Sequence, residues 1–330
     1  MGLGVVLALP ASAAAGDTHF FLDNRQFFPG PVEVFQSTRA ASGAFAPQVN
    51  VTAQAGTLNE KMQDIAAARI GRNQHLVVAR GTDLLHTVQG TDGTWSPFAT
   101  IATGQALTVL EVAAVNVASQ LQVVIRTLGA KIYHAVRNSR GVWSPFVNIE
   151  SQAGALNPGF GPEIHHIAAA GFSNGRLQLV VDWDDKFMHT IRGTDGTWSP
   201  WENVTRQTGR PGSGSVFGMT AAEADNMMHL VVHGRGGPFH AVRALNGTWS
   251  SLTNVFGQTG SPGTLKEMAA TEGPVSGDLL LAVAVCCVPG HQDRLLFLTR
   301  KPNGTWSGFR QIPSPPGGAS GVDNLAVVAE

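Results

Sequence analysis

The sequence predicts an all-β, six-bladed β-propeller, and three observations carry that prediction. A nine-residue segment, GTDGTWSPF at 90–98, returns as NSRGVWSPF at 138–146, GTDGTWSPW at 193–201, ALNGTWSSL at 244–252 and KPNGTWSGF at 301–309, with a worn copy, AASGAFAPQ, at 40–48. Its key aromatics, Phe45, Trp95, Trp143, Trp198, Trp249 and Trp306, recur every 48 to 57 residues, a spacing typical of propeller blades. Short runs rich in β-branched residues, broken by turn residues, fill the space between them.

In the second repeat the strands are expected at Asp64–Ile70, His75–Arg80, Leu84–Gln89 and Thr94–Ile101. Asp92-Gly93 joins the last two as a two-residue hairpin, since both residues tolerate positive φ. Inner strands recur at Val109–Val117, Ile164–Phe172, Val216–Glu223, Leu265–Thr271 and Asp323–Glu330. The last has no repeat after it, and the N-terminal repeat lacks one. Asp323–Glu330 is therefore expected to complete the first blade and remove an open sheet edge. The resulting blades are 17–55 with 322–330, 56–105, 106–153, 154–207, 208–259 and 260–316, within a propeller domain at 16–330.

With 39 Gly, 18 Pro and 14% charged residues, the composition suits an all-β chain of many turns. A net charge of −1, with no basic run, argues against nucleic-acid or anionic-membrane partners. Residues 1–15, MGLGVVLALPASAAA, read as a secretory leader cut after Ala13 or Ala15. Secretion is the expectation that follows, with no membrane span beyond the leader. The two cysteines, Cys286 and Cys287, are adjacent; a strained vicinal bridge is not the default for such a pair.

Four columns recur beside the aromatics. Nine residues before them stand Gln36, His86, His134, His189, His240 and Phe297; on the preceding strand, His19, His75, Gln122, Gln178, His229 and Leu280. Six residues before stand Arg39, Gln89, Arg137, Arg192, Arg243 and Arg300. Ser96, Ser144, Ser199, Ser250 and Ser307 directly follow the tryptophans. With Asp92-Gly93 as the turn, Gln89 pairs with Ser96 and His86 with Ala99. That register puts Trp95 and His86 on one face and the Arg/Ser column on the other. The tryptophan of one blade would then face the Arg/Ser surface of its neighbour. An aromatic ring, a guanidinium and a hydroxyl around a shallow groove suit a sugar. The same residues also serve as blade anchors through a cation–π contact, and the histidines as hydrogen-bonded core.

Other chemistries are less well supplied. His165 and His166 point to opposite faces of a strand, and no Cys/His cluster has zinc spacing. Asp182, Asp184 and Asp185 fit turn chemistry. Glycoside hydrolysis needs two carboxylates about one bond. Glu111, Glu163, Glu223, Glu267 and Glu330 lie on or beside inner strands near the channel, but the acids are scattered and Tyr133 is the only tyrosine. No cofactor and no metal are expected.

The repeated His/Gln-Leu-Val-Val run and the Val-Arg-x-x-Asp-Gly-Thr-Trp-Ser-Pro hairpin resemble the repeat of secreted bacterial propeller lectins of the PLL-like, fucose-binding type. The resemblance spans 17–330. It implies inter-blade pockets for fucose or related, often methylated, sugars, with Trp95, Trp143, Trp198, Trp249 and Trp306 stacking on them. Lectins of that type have seven blades, which makes seven the alternative to the six counted here. The expectation is a multivalent glycan binder without catalysis. The alternatives are a protein-interaction propeller with purely structural tryptophans and a sialidase-like hydrolase. For the lectin reading, removing Trp198 is expected to cost binding rather than stability.

Overall fold

A computed structural model describes residues 16–24, 32–58, 61–104, 107–156, 163–212, 214–286, 293–316 and 322–330. The expected leader at 1–15 lies outside the described residues, as does Cys287. Cys286 is disulfide-bonded.

Six four-stranded antiparallel sheets form the blades of a propeller. The inner strands lie at Asp64–Ile70, Val109–Val117, Ile164–Gly171, Val216–Ala224, Thr264–Glu272 and Leu325–Ala329, within two residues of their sequence-based bounds. The last of these pairs with Thr18–Asn24, so the C-terminus closes the ring in the first blade. Asp23 reinforces the closure by accepting from the backbone N–H groups of Asp323 and Asn324 at 2.9 and 2.8 Å.

Six inner strands must converge around one axis, and small side chains permit it. Runs such as Ala66–Ala68, Ala168–Ala170 and Ala221–Ala222 line the channel. At Gly171 the approach is closest: a Cβ there would sit 2.1 Å from the carbonyl oxygen of Asn116 in the blade before it. Bulky residues fill the space between blades instead, with one apolar cluster at each of the six junctions.

The outer strand is shorter than expected. In the second blade it reduces to Ala99–Thr100, plus one isolated pairing of Gln89 with Trp95. Four blades then turn into a single helical turn, at Val51–Ala55, Glu150–Ala153, Thr205–Thr208 and Val255–Thr259. The side chains of Asn50 and Asn254 start two of these by accepting from the N–H of Ala53 and Gly257.

Candidate functional site: the junctions between blades

The hairpin carrying each tryptophan departs from the expected two-residue turn. The N–H of Gly93 bonds the carbonyl of Gly90 at 2.9 Å, and that of Gly90 bonds the carbonyl of Thr94 at 3.0 Å. The loop therefore holds three residues, Thr91, Asp92 and Gly93, with Gly93 at φ +80°. This is a type I turn closed by a glycine bulge. Asp92 stiffens it by accepting from the N–H of Thr94.

One extra loop residue shifts the register by one and turns every side chain near the turn to the other face. Trp95, Trp143, Trp198, Trp249 and Trp306 now pair with Gln89, Arg137, Arg192, Arg243 and Arg300. The arginine thus shares its face with the tryptophan, and the expected Arg/Ser face does not exist. A second irregularity at Ser-Pro restores the pairing of His86 with Ala99, so His86 lies opposite Trp95 on its blade.

The serines close that irregularity. The N–H of Val136 bonds Oγ of Ser144 at 2.9 Å, and the Ser96, Ser199, Ser250 and Ser307 hydroxyls accept likewise from Val88, Ile191, Val242 and Thr299. Each hydroxyl also donates to the following carbonyl, as Ser144 does to Pro145. These serines are committed to the backbone.

Each blade therefore offers an Arg/Trp face to the blade before it and a His/Gln face to the blade after it. Trp143, Trp198, Trp249 and Trp306 meet His86, His134, His189 and His240 edge-on, with centroids 5.4 to 5.6 Å apart. Behind each imidazole the second column completes a pair: His75 with His86, Gln122 with His134, Gln178 with His189 and His229 with His240, all at 2.9 Å. Burial pushes His75 and His229 down to about 4 and His86, His134 and His189 to about 3, and Arg137, Arg192, Arg243 and Arg300 depress their histidines further. The imidazoles are neutral at pH 7, hydrogen-bonded as the sequence suggested. At the first junction Gln36 replaces histidine and accepts from Nε1 of Trp95 at 3.2 Å. At the last, Arg39 lies 5.3 Å over the Phe297 ring. Among the described residues no arginine stacks on a neighbour's tryptophan, so the expected Arg–Trp anchor is absent there.

The junctions are not equivalent, because of a motif the sequence reading missed. Asn-Val/Ile-x-x-Gln-Ala/Thr-Gly recurs at 50–56, 148–154, 203–209 and 254–260. The side chains of Gln54, Gln152 and Gln207 accept from the backbone N–H of Trp95, Trp198 and Trp249 at 3.1, 3.2 and 2.9 Å. Those three tryptophans are wedged into inter-blade core at 5–7% exposure. Gly104 stands at this place before Trp143, and Gln258 makes no such bond to Trp306. Trp143 and Trp306 remain half-buried at the edges of their clusters.

Between the fifth and sixth blades this difference opens a cleft of about 480 Å³, lined by Trp306, Arg300, His240, Gln258, Thr253 and Met227 among others. The guanidinium of Arg300 tucks under its own hairpin, 3.3 Å from where a Cβ on Gly304 would sit.

The channel, about 670 Å³, holds Asp64, Glu111 and Glu267 towards one end of the inner strands and Glu223 and Glu272 at the other. Asp64 accepts from the N–H of Val112 at 2.8 Å, and Glu111 from that of Ile167 at 3.0 Å, each tying a bulged strand of the next blade. Burial raises Asp64 and Glu267 to about 8. Against the cost of burial, the His166 bond and the Arg126 charge hold Glu111 below its usual range. Asp182 is bonded to Arg210 at 2.6 Å, while Asp184 and Asp185 take positive φ in a turn. No group of three or more metal-ligating side chains occurs among the described residues.

No family model and no curated protein matches the sequence. Among solved structures, a lectin from Burkholderia pseudomallei superposes with a TM-score of 0.56 at 14% identity, over 88% of this chain and 83% of its own. The fucose-specific lectin of Aleuria aurantia gives 0.52 at 14%, over 92% and 97%. Trypanosoma rangeli sialidase, solved with sialic acid, gives 0.56 at 13%, over 88% of this chain and 53% of its own. The likeness is one of fold.

Proposed function

We propose that this chain is a secreted carbohydrate-binding propeller that holds a sugar between blades without turning it over. The cleft between the fifth and sixth blades carries the reading. Its volume lies in the usual range for small-ligand sites. An apolar pyranose face can pack on the half-buried Trp306 ring, while Arg300 and Gln258 reach hydroxyls at its rim. Fucose or a related methylated sugar is the expectation from the repeat, and the shared fold with a fucose-specific lectin supports it. The junction holding Trp143 and Arg137 is a second candidate.

The wedged Trp95, Trp198 and Trp249 favour a partial alternative, in which those three junctions are purely structural. Against hydrolysis stands the use of Asp64 and Glu111, whose carboxylates are occupied by backbone N–H groups of neighbouring strands.

A glycan array tests the proposal. Binding of one glycan class, lost in Trp306→Ala with the fold intact, is the expected result. An array blank for every glycan would favour the protein-interaction reading, and fluorogenic glycosides turned over through a channel glutamate would favour the hydrolase.

A further inference from the structure

The arginines facing the junctions lack anions. Arg137, Arg192, Arg243 and Arg300 are half-buried, yet none makes an ion pair among the described residues. Arg300 makes one long bond, 3.5 Å, from Nη1 to the carbonyl of Lys301. Lys301 itself is bonded to Asp278 at 2.6 Å, leaving that carboxylate engaged elsewhere. Among the described residues no aspartate or glutamate lines the cleft, and the Arg300 guanidinium is their one formal charge there.

A half-buried guanidinium without a counterion is costly, and its planar fork matches an oxyanion. The neighbouring imidazoles of His229 and His240 are neutral and supply no anion to it. Asp195 and Glu202 lie within electrostatic reach of Arg192 and Arg243, but burial alone acts on Arg137 and Arg300. The arginines without a nearby acid are those beside the two less buried tryptophans.

We propose that the cleft between the fifth and sixth blades selects an anionic sugar, a pyranoside carrying a carboxylate or sulfate ester, whose oxyanion pairs with Arg300 while its ring packs on Trp306. The proposal rests on the reading of this cleft as a sugar site and narrows its ligand away from neutral fucose. A neutral sugar leaves the guanidinium with hydroxyl acceptors only, whereas an oxyanion accepts a charge-assisted, bidentate pair.

The full chain is titrated calorimetrically with methyl glucuronide, methyl galacturonide, galactose 6-sulfate, methyl fucoside and methyl galactoside, in low and high salt. The expected result is at least a tenfold preference for anionic over neutral sugars, weakened by salt. The uronide and sulfate arms distinguish carboxylate from sulfate as the anion. Arg300→Gln should abolish the preference and Arg300→Lys should retain part of it. Neutral sugars binding as tightly as the anionic ones, or anionic binding unchanged in Arg300→Gln, would overturn the proposal while leaving the sugar site standing. Binding of no sugar of either kind would remove both.

Discussion

Trp198 and Trp306 occupy the same place in the repeat, and their removal should have opposite consequences. Trp198 is 7% exposed, packs within inter-blade core, meets His134 at 5.5 Å and has its N–H held by Gln152. Truncating a buried tryptophan to alanine costs about 3–5 kcal/mol. Unfolding entropy near 2.1 cal/mol/K per residue over 330 residues gives roughly 0.7 kcal/mol/K, so Trp198→Ala should lower Tm by about 4–7 °C. Trp306 is half-buried and borders the cleft. Its edge contact with His240 is worth about 0.5–1.5 kcal/mol beyond area. Trp306→Ala should therefore cost about 1–2 kcal/mol, or roughly 1–3 °C on the same entropy scale, while removing sugar binding.

Differential scanning calorimetry and a parallel ligand titration read both quantities. The reasoning fails if Trp198→Ala melts within 2 °C of the parent, or if it loses binding while Trp306→Ala keeps it. The sequence alone suggested that Trp198 would be needed for binding more than for stability. Its core position and the Gln152 bond reverse that expectation.

Stability should peak near pH 6.5. Seven histidines, His75, His86, His134, His189, His229, His233 and His240, have folded-state values held below 6.5 by burial, so their contribution is present above that pH and lost as pH falls toward 3–4. Asp64 and Glu267, raised to about 8, act oppositely: their contribution is present below about pH 4 and lost as pH rises through 8. Asp23 and Glu223, also raised by burial, act the same way, and seven groups still outweigh these four below pH 6.5, at up to about 1.4 kcal/mol per pH unit for each net proton; urea midpoints that stay level from pH 4.5 to 6.5 would contradict this. Deleting 323–330 removes the strand paired with Thr18–Asn24, the backbone bonds to Asp23 and the Glu330–Gln74 bond at 2.9 Å; size-exclusion should show aggregate in place of the parent's peak. Gly304→Ala places a Cβ 3.3 Å from the Arg300 guanidinium at φ +90°, so it should cost about 1–2 kcal/mol and weaken anionic-sugar binding, whereas Gly247→Ala, its counterpart beside wedged Trp249, should cost stability alone.

The ring was legible in the sequence because its repeat is chemical as well as periodic. Ala-rich inner strands, a hairpin glycine and a recurrent aromatic each state a local requirement, and all six copies agree. The unmatched strand at 323–330 even specified the closure. The site was not legible in the same way, because it depends on pleat parity, where one residue reverses every face. Asp92-Gly93 reads equally as a two-residue loop or as the end of a three-residue one. Two offsetting shifts, one at the turn and one after the serine, keep His86 opposite Ala99; the second recurs where Ser251 and Gly308 replace Pro97, so no single residue of the hairpin announces it.

Which junctions stay open is less local still. Trp249 and Trp306 lie in nearly identical hairpins, each following a blade with a glutamine at the same place. Gln207 holds the N–H of Trp249, whereas Gln258 leaves Trp306 without that bond beside an open cleft. The distinction arises from the packing of one blade edge against the next, a quantity that no single repeat encodes. A propeller can thus keep its fold constant while individual junctions shift between core and cleft, with one glutamine bond as the smallest step between them. Gln258 is the residue on which that step turns here, since it lines the same cleft as Trp306 and Arg300.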